Sequence, residues 1–267
     1  MRIASVGHLV FAATLIALGI VGLIQGGFVA GWEGVPKAVP ARGALAYLCA
    51  VISLACGAGL LWRRSAAIAA RVLLAWLLIW MVWVKGSTIV RAPLVEGSWQ
   101  FWGETAVIVA AAWVLYAWFA TDRDRRWLGL AVGDSSVRIA RVVYACAMFA
   151  FGLSHFFYVN MTAPLVPAWL PWHMGWAYFF GCTYIAAGVA VLIGVCARLA
   201  AVFSTIQMGL FTLLVWLPVV AVGHASGSQW DEFGVSWLIT AAAWVVADSY
   251  RGAPWLAAAR HRRGVNN

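Results

Sequence analysis

Where charge is scarce, the polar residues inside long apolar runs are where chemistry has to be sought. His155 lies seventeen residues after Arg138, about 25 Å up a helix at 1.5 Å per residue, which sets it in the outer half of a membrane span. An imidazole there can cap a neighbouring helix, meet headgroups, donate to a quinone carbonyl or carry a proton near the outer surface. Tyr184 belongs to the next helix. A phenol in lipid wants a partner, so it is expected to face the bundle interior. His173 follows Pro171-Trp172 at the mouth of that helix. Lys85, Glu104, His224, Asp231 and Glu232 fall at the same end. Glu104 reads as the acidic start of a helix, where a carboxylate meets the positive end of the dipole. The outer half is therefore where a site is expected, with His155, Tyr184, His173 and Trp172 as its candidates.

The five cysteines, Cys49, Cys56, Cys146, Cys182 and Cys196, form no C-x-x-C pair, zinc spacing or haem attachment. They read as unpaired thiols in apolar helices. Cys49 and Cys182 both fall towards the outer side, and a disulfide between them stays open. A quinone-reducing thiol oxidase needs a close cysteine pair, so that chemistry is set aside. No motif for flavin, haem, iron–sulfur or metal is present.

The elements that position these residues are helices in a membrane. The chain has 267 residues, is 64% hydrophobic and 10% charged, and has a mean hydropathy of +0.89. So few charges cannot cover a soluble domain. Apolar runs of spanning length recur. They are continuous rather than alternating, which makes them helices and not barrel strands. The expected fold class is all-α: a polytopic membrane protein with eight transmembrane helices as two parallel four-helix bundle repeats. The helices are placed at 4–27, 43–62, 66–86, 101–120, 138–159, 174–195, 198–220 and 233–250. The domains follow as a first membrane repeat at 1–121, a basic linker at 122–137, a second repeat at 138–250 and a basic, flexible tail at 251–267. The first helix could pass for a signal peptide, but it has no well-formed cleavage site and its counterpart spans.

The net charge of +9 does not indicate nucleic acid. Fourteen of the eighteen Lys and Arg fall at one set of helix ends, and only Lys37, Arg42, Lys85 and Arg91 at the other. That asymmetry orients both termini to the cytoplasm. The outer connections, 28–42, 87–100, 160–173 and 221–232, carry Trp32, Trp99, Trp169, Trp172, Trp176 and Trp230, which read as an interfacial belt.

The two-unit reading rests on residues 35–117 recurring 131 positions later. Val35, Pro36 and Pro40 fall on Val166, Pro167 and Pro171; Trp99 falls on Trp230. Ala110-Ala111-Ala112-Trp113-Val114 falls on Ala241-Ala242-Ala243-Trp244-Val245. Alanine matches are cheap in an apolar chain, whereas paired prolines and tryptophans in one register are not. Four helices per unit make the repeats parallel rather than inverted. His155 has only Gly22 or Ile24 as its counterpart, and Tyr184 has Ser53.

The second half resembles the DoxX family of four-helix membrane proteins. Gly152-Leu153-Ser154-His155-Phe156, Pro164, Val166-Pro167, Pro171-Trp172-His173, Gly181, Ala186-Ala187-Gly188 and Cys196-Ala197-Arg198-Leu199-Ala200-Ala201 carry the resemblance. Many members have a glutamate where this chain has Tyr184. The resemblance implies an inner-membrane protein tied to redox metabolism, in proximity to a quinone and to a partner protein. It favours the membrane subunit of a quinone-linked complex for sulfur-compound oxidation or oxidative stress. The alternatives are a non-enzymatic membrane anchor for a partner and, ranked lower, a small-solute transporter, which needs ionisable groups at mid-membrane and broken helices.

Overall fold

The computed structural model describes residues 3–37, 39–129, 132 and 134–257. It is helical throughout, with no strand among the described residues. Its elements are α1 (Val6–Gln25), α2 (Arg42–Leu61), α3 (Ala66–Ile79), a π segment (Trp80–Lys85), α4 (Gly86–Arg91), α5 (Glu96–Phe119) and α6 (Asp122–Trp127). There follow α7 (Asp134–Phe157), α8 (Val159–Thr162), α9 (His173–Ile193), α10 (Ala197–Phe211), a second π segment (Thr212–Trp216), α11 (Leu217–Ala221) and α12 (Gly227–Asp248). Among the described residues, seven helical stretches are long and apolar enough to cross a membrane, which makes this a multi-pass membrane protein. α12 matches them with 22 residues but carries Asp231, Glu232 and Asp248, and falls short of them in apolarity.

Several bounds recur at a spacing of 131. α2 starts at Arg42 and α9 at His173; α3 starts at Ala66 and α10 at Ala197; α5 starts at Glu96 and α12 at Gly227. α3 and α10 each pass into a π segment, at Trp80 and at Thr212. Ala41 and Trp172, at corresponding positions, hold left-handed backbone just before α2 and α9.

The centre belongs to α5 and α12. They lie side by side, and α5 also packs on α7 and α12 on α1. The two copies of Ala-Ala-Ala-Trp-Val sit in these helices, and Ala110 to Ala112 and Ala241 to Ala243 are wholly buried. Small side chains let backbones approach where burial from water offers no drive between helices in lipid. Polar ties fix the crossings: Gly7 N–H donates to Asp248 at 3.1 Å, and Trp237 Nε1 donates to Thr14 at 3.0 Å.

Two expectations change, and the open question of a disulfide closes. α5 and α12 begin earlier than placed, at Glu96 and Gly227, because their polar first turns still close helical bonds. Ser226 and Gln229 form a capping box there. The chain after α12 is not free: Cys196 N–H donates to Ala257 O at 2.8 Å, and the Arg198 guanidinium lies 4.1 Å from the Trp255 ring. The remainder of the basic tail, with Arg260 to Arg263, lies outside the described residues. All five cysteines are free; Cys49 is buried and Cys182 exposed, so the disulfide does not form.

Candidate functional site

α7 and α9 cross where glycines meet. A Cβ on Gly152 would lie 2.5 Å from Ile185 and 2.8 Å from Gly181 O, and one on Gly181 would lie 3.0 Å from the His155 Cβ. Only glycine permits that approach, and it brings His155 and Tyr184 together with ring centroids 5.6 Å apart. Phe151 closes the other side of the phenol at 5.9 Å. Tyr184 is buried, at 6% exposure, while His155 is half-buried.

The imidazole's tautomer follows from its partner. Nδ1 lies 2.7 Å from Phe151 O, one turn back on its own helix. A carbonyl oxygen only accepts, so Nδ1 carries the proton. In the neutral ring Nε2 is then left with a lone pair. His155 therefore presents a proton acceptor, rather than the donor that a quinone carbonyl needs. Behind Tyr184, α10 contributes Gln207, whose amide donates to Phe180 O at 3.2 Å and accepts from Thr183 at 2.8 Å. The Tyr184 hydroxyl faces this amide. The sequence did not single out Gln207; a buried amide in an apolar run was the available signal.

The other two candidates lie elsewhere. His173 is the first residue of α9, eleven residues before Tyr184, about 16 Å along the helix. Trp172 is 81% exposed and folds its ring over Gly175. The structure thus joins His155 with Tyr184 and leaves His173 and Trp172 at the mouth of α9.

A second polar cluster sits in the first half. Lys85 is 2% exposed, with Nζ 4.0 Å from Glu33 and 5.4 Å from the centre of the Phe101 ring. Glu104 faces Lys85, Glu33 and Glu232. Glu104 is therefore no helix cap. α5 starts eight residues before it, which carries its side chain two turns in, among other charges. Glu33, in the loop after α1, was not anticipated; burial pushes its carboxyl up, against the pull of Lys85. Trp32 is equally displaced from the expected belt. It is 3% exposed and donates to Ser53 at 2.8 Å. Among the described residues, no group of three or more His, Cys, Asp or Glu is arranged to hold a metal.

Residues 136–217 match the DoxX family model. No curated protein and no solved structure matches the chain. The match covers α9, α10 and all but the first two residues of α7, and so contains the His155–Tyr184 pair and Gln207. Within this multi-pass membrane protein, residues 136–217 of the second half are thus similar to the DoxX family.

Proposed function

We propose that this protein is the membrane subunit of a quinone-linked redox complex, with a quinone headgroup meeting His155 and Tyr184 at the α7–α9 crossing. The observation that carries it is the pairing itself: an imidazole with a free acceptor nitrogen beside a buried phenol, walled by Phe151 and Phe156. Such a site suits a flat ring with oxygens at both ends. His155 Nε2 accepts the hydroxyl proton of the reduced form. The Tyr184 hydroxyl, facing Gln207, completes the polar end. The quinone supplies two-electron chemistry when bound. The electrons come from or go to a partner protein, since no motif here holds a redox centre.

The two-unit architecture belongs to the same proposal. Eight spans form two related four-helix units, supported by the recurrent bounds and by the paired π segments. Both termini lie at the arginine-rich end, assigned to the cytoplasm of an inner membrane by the positive-inside bias. A second reading, an anchor without quinone, is favoured by the outer end, where Leu94, Trp169 and Trp172 stand exposed for a partner.

The test is mass spectrometry of an organic extract of the protein purified in mild detergent, beside an unrelated membrane protein prepared alike. Near-stoichiometric quinone, lost in His155→Ala, supports the redox subunit. Background quinone together with a stoichiometric co-purifying protein turns the assignment to the anchor.

A further inference from the structure

Away from that crossing, at the arginine-rich end, a cavity of about 340 Å³ opens between α3 and the start of α6. Ala67, Ile68, Arg71, Thr121, Arg123 and Asp124 line it. We propose that it binds the phosphodiester of an anionic phospholipid from the adjacent leaflet.

The charge balance selects the ligand. Asp124 is buried and accepts from the Thr121 amide at 2.9 Å, the Thr121 hydroxyl at 2.7 Å and Arg71 at 3.0 Å. Its charge is matched by Arg71, and its oxygens are occupied. Arg71 spends one guanidinium donor on that bond and keeps others for the cavity. Among the described residues, Arg123 has no hydrogen-bond or ion-pair partner. The cavity therefore holds one surplus positive charge, and a phosphodiester carries one negative charge. A zwitterionic headgroup brings an ammonium, and the one carboxylate lining the cavity, Asp124, is already paired.

Position selects the lipid over free phosphate. Ile68 and Val72 stand exposed along the same side of α3, so an apolar strip leads from the phosphate position towards the hydrocarbon. Arg71 sits five residues into α3, about 8 Å along the helix, near the boundary between headgroups and acyl chains. Basic pockets between spans at the cytoplasmic side are suited to anionic headgroups. Asp124 and the Thr121–Asp124 capping box hold Arg71 and α6 in place, so the site is formed before the lipid arrives.

The test uses the full chain in mild detergent, titrated with phosphatidylglycerol or phosphatidylcholine and followed by native mass spectrometry and thermal unfolding. Phosphatidylglycerol is expected to stay bound and raise Tm, whereas phosphatidylcholine does neither. Arg123→Gln, on the exposed face of α6, should lower phosphatidylglycerol retention about tenfold, the order of one charge-assisted hydrogen bond. Arg63→Gln, at the same end but outside the cavity, should leave retention unchanged. Equal retention of both lipids, or equal loss in the two variants, reduces the effect to diffuse attraction and overturns the site. Inorganic phosphate alone reproducing the Tm rise, or displacing the lipid, overturns the lipid assignment.

Discussion

The Trp32 indole donates to Ser53 across 2.8 Å inside the first half, and Ser53 stands 131 positions before Tyr184. One half fills that depth with a tryptophan from its outer loop; the other fills it with a tyrosine from the helix itself. The residue corresponding to Trp32 is Ala163, which is too small to reach in. Trp32 packs edge-on against Trp80 at 5.2 Å, which ties the loop to the end of α3. Trp32→Phe should keep most of the packing and lose the hydrogen bond, at about 1 kcal/mol. Trp32→Ala should cost about 3–5 kcal/mol through the cavity it leaves. Chemical unfolding in detergent measures both; equal small losses would mean that the loop is not held by this side chain.

Gly181 is where the second half is most sensitive to size. An added methyl would lie 2.8 Å from the Phe156 ring, 3.0 Å from the His155 Cβ and 3.1 Å from Gly152 O. The backbone oxygen cannot swing aside, so α7 and α9 must separate and His155 must leave Tyr184. Gly181→Ala should destabilise by about 1–3 kcal/mol, and quinone retention should fall with it. Retention unchanged in a destabilised variant would detach the quinone reading from the His155–Tyr184 pair.

Much of this fold was legible beforehand, for a physical reason. Helix formation in lipid is dictated by apolar length alone, so α1, α2, α9 and the stretch Ala197–Ala221 fall within a few residues of their expected places. The tandem Ala-Ala-Ala-Trp-Val segments were visible as a repeat, but not as the shared centre. Nothing local says that α5 packs on α7 rather than only within its own half. Glu104 was misread because Gln100 and Glu96 look like loop, whereas the helix continues through them outside the apolar zone. Trp32 was misread because an interfacial belt and a loop folded into the bundle use the same residue type. His155 and Tyr184 were singled out from polarity at depth. Gln207, Glu33 and the Arg71–Asp124 pair depend on partners far along the chain, which no single-sequence pattern reveals.

Lys85 holds two carboxylates together, so removing its charge should cost more than removing either of theirs. Lys85→Met keeps the length of the stem but leaves Glu33 and Glu104 without their cation. Breaking a buried charge arrangement from one side typically costs about 3–5 kcal/mol. Adding Glu104→Gln to Lys85→Met should recover part of that loss, because an uncompensated charge disappears. A double-mutant cycle on unfolding free energies reads the coupling. Strict additivity of the two changes would show that Lys85 and Glu104 do not interact.

Two carboxylates outside the spans should give opposite pH dependences. Burial raises Glu33 above its ordinary 4.5, against Lys85, the Gly31 amide that donates at 2.9 Å, and the pull of its own backbone, while nearby Asp231 adds to the rise. Folded Glu33 thus holds its proton at higher pH than the unfolded chain does. Its contribution is fully present below the ordinary carboxylate value and is lost as pH rises through the folded value. Burial would raise Asp124 as well, yet the Thr121 hydrogen bonds and Arg71 bring it below its ordinary 3.8. Its contribution is present above that value and is lost as pH falls through the folded one. At neutral pH, Glu33→Gln should therefore gain stability on the wild type, with Glu104 still facing Lys85. Asp124→Asn should lose stability under the same conditions, and both differences should shrink towards acid. Thermal unfolding in detergent from about pH 2 to pH 7, spanning the carboxylate range on both sides, measures both. A Glu33→Gln curve parallel to the wild type would show that the folded state places no strain on that carboxylate.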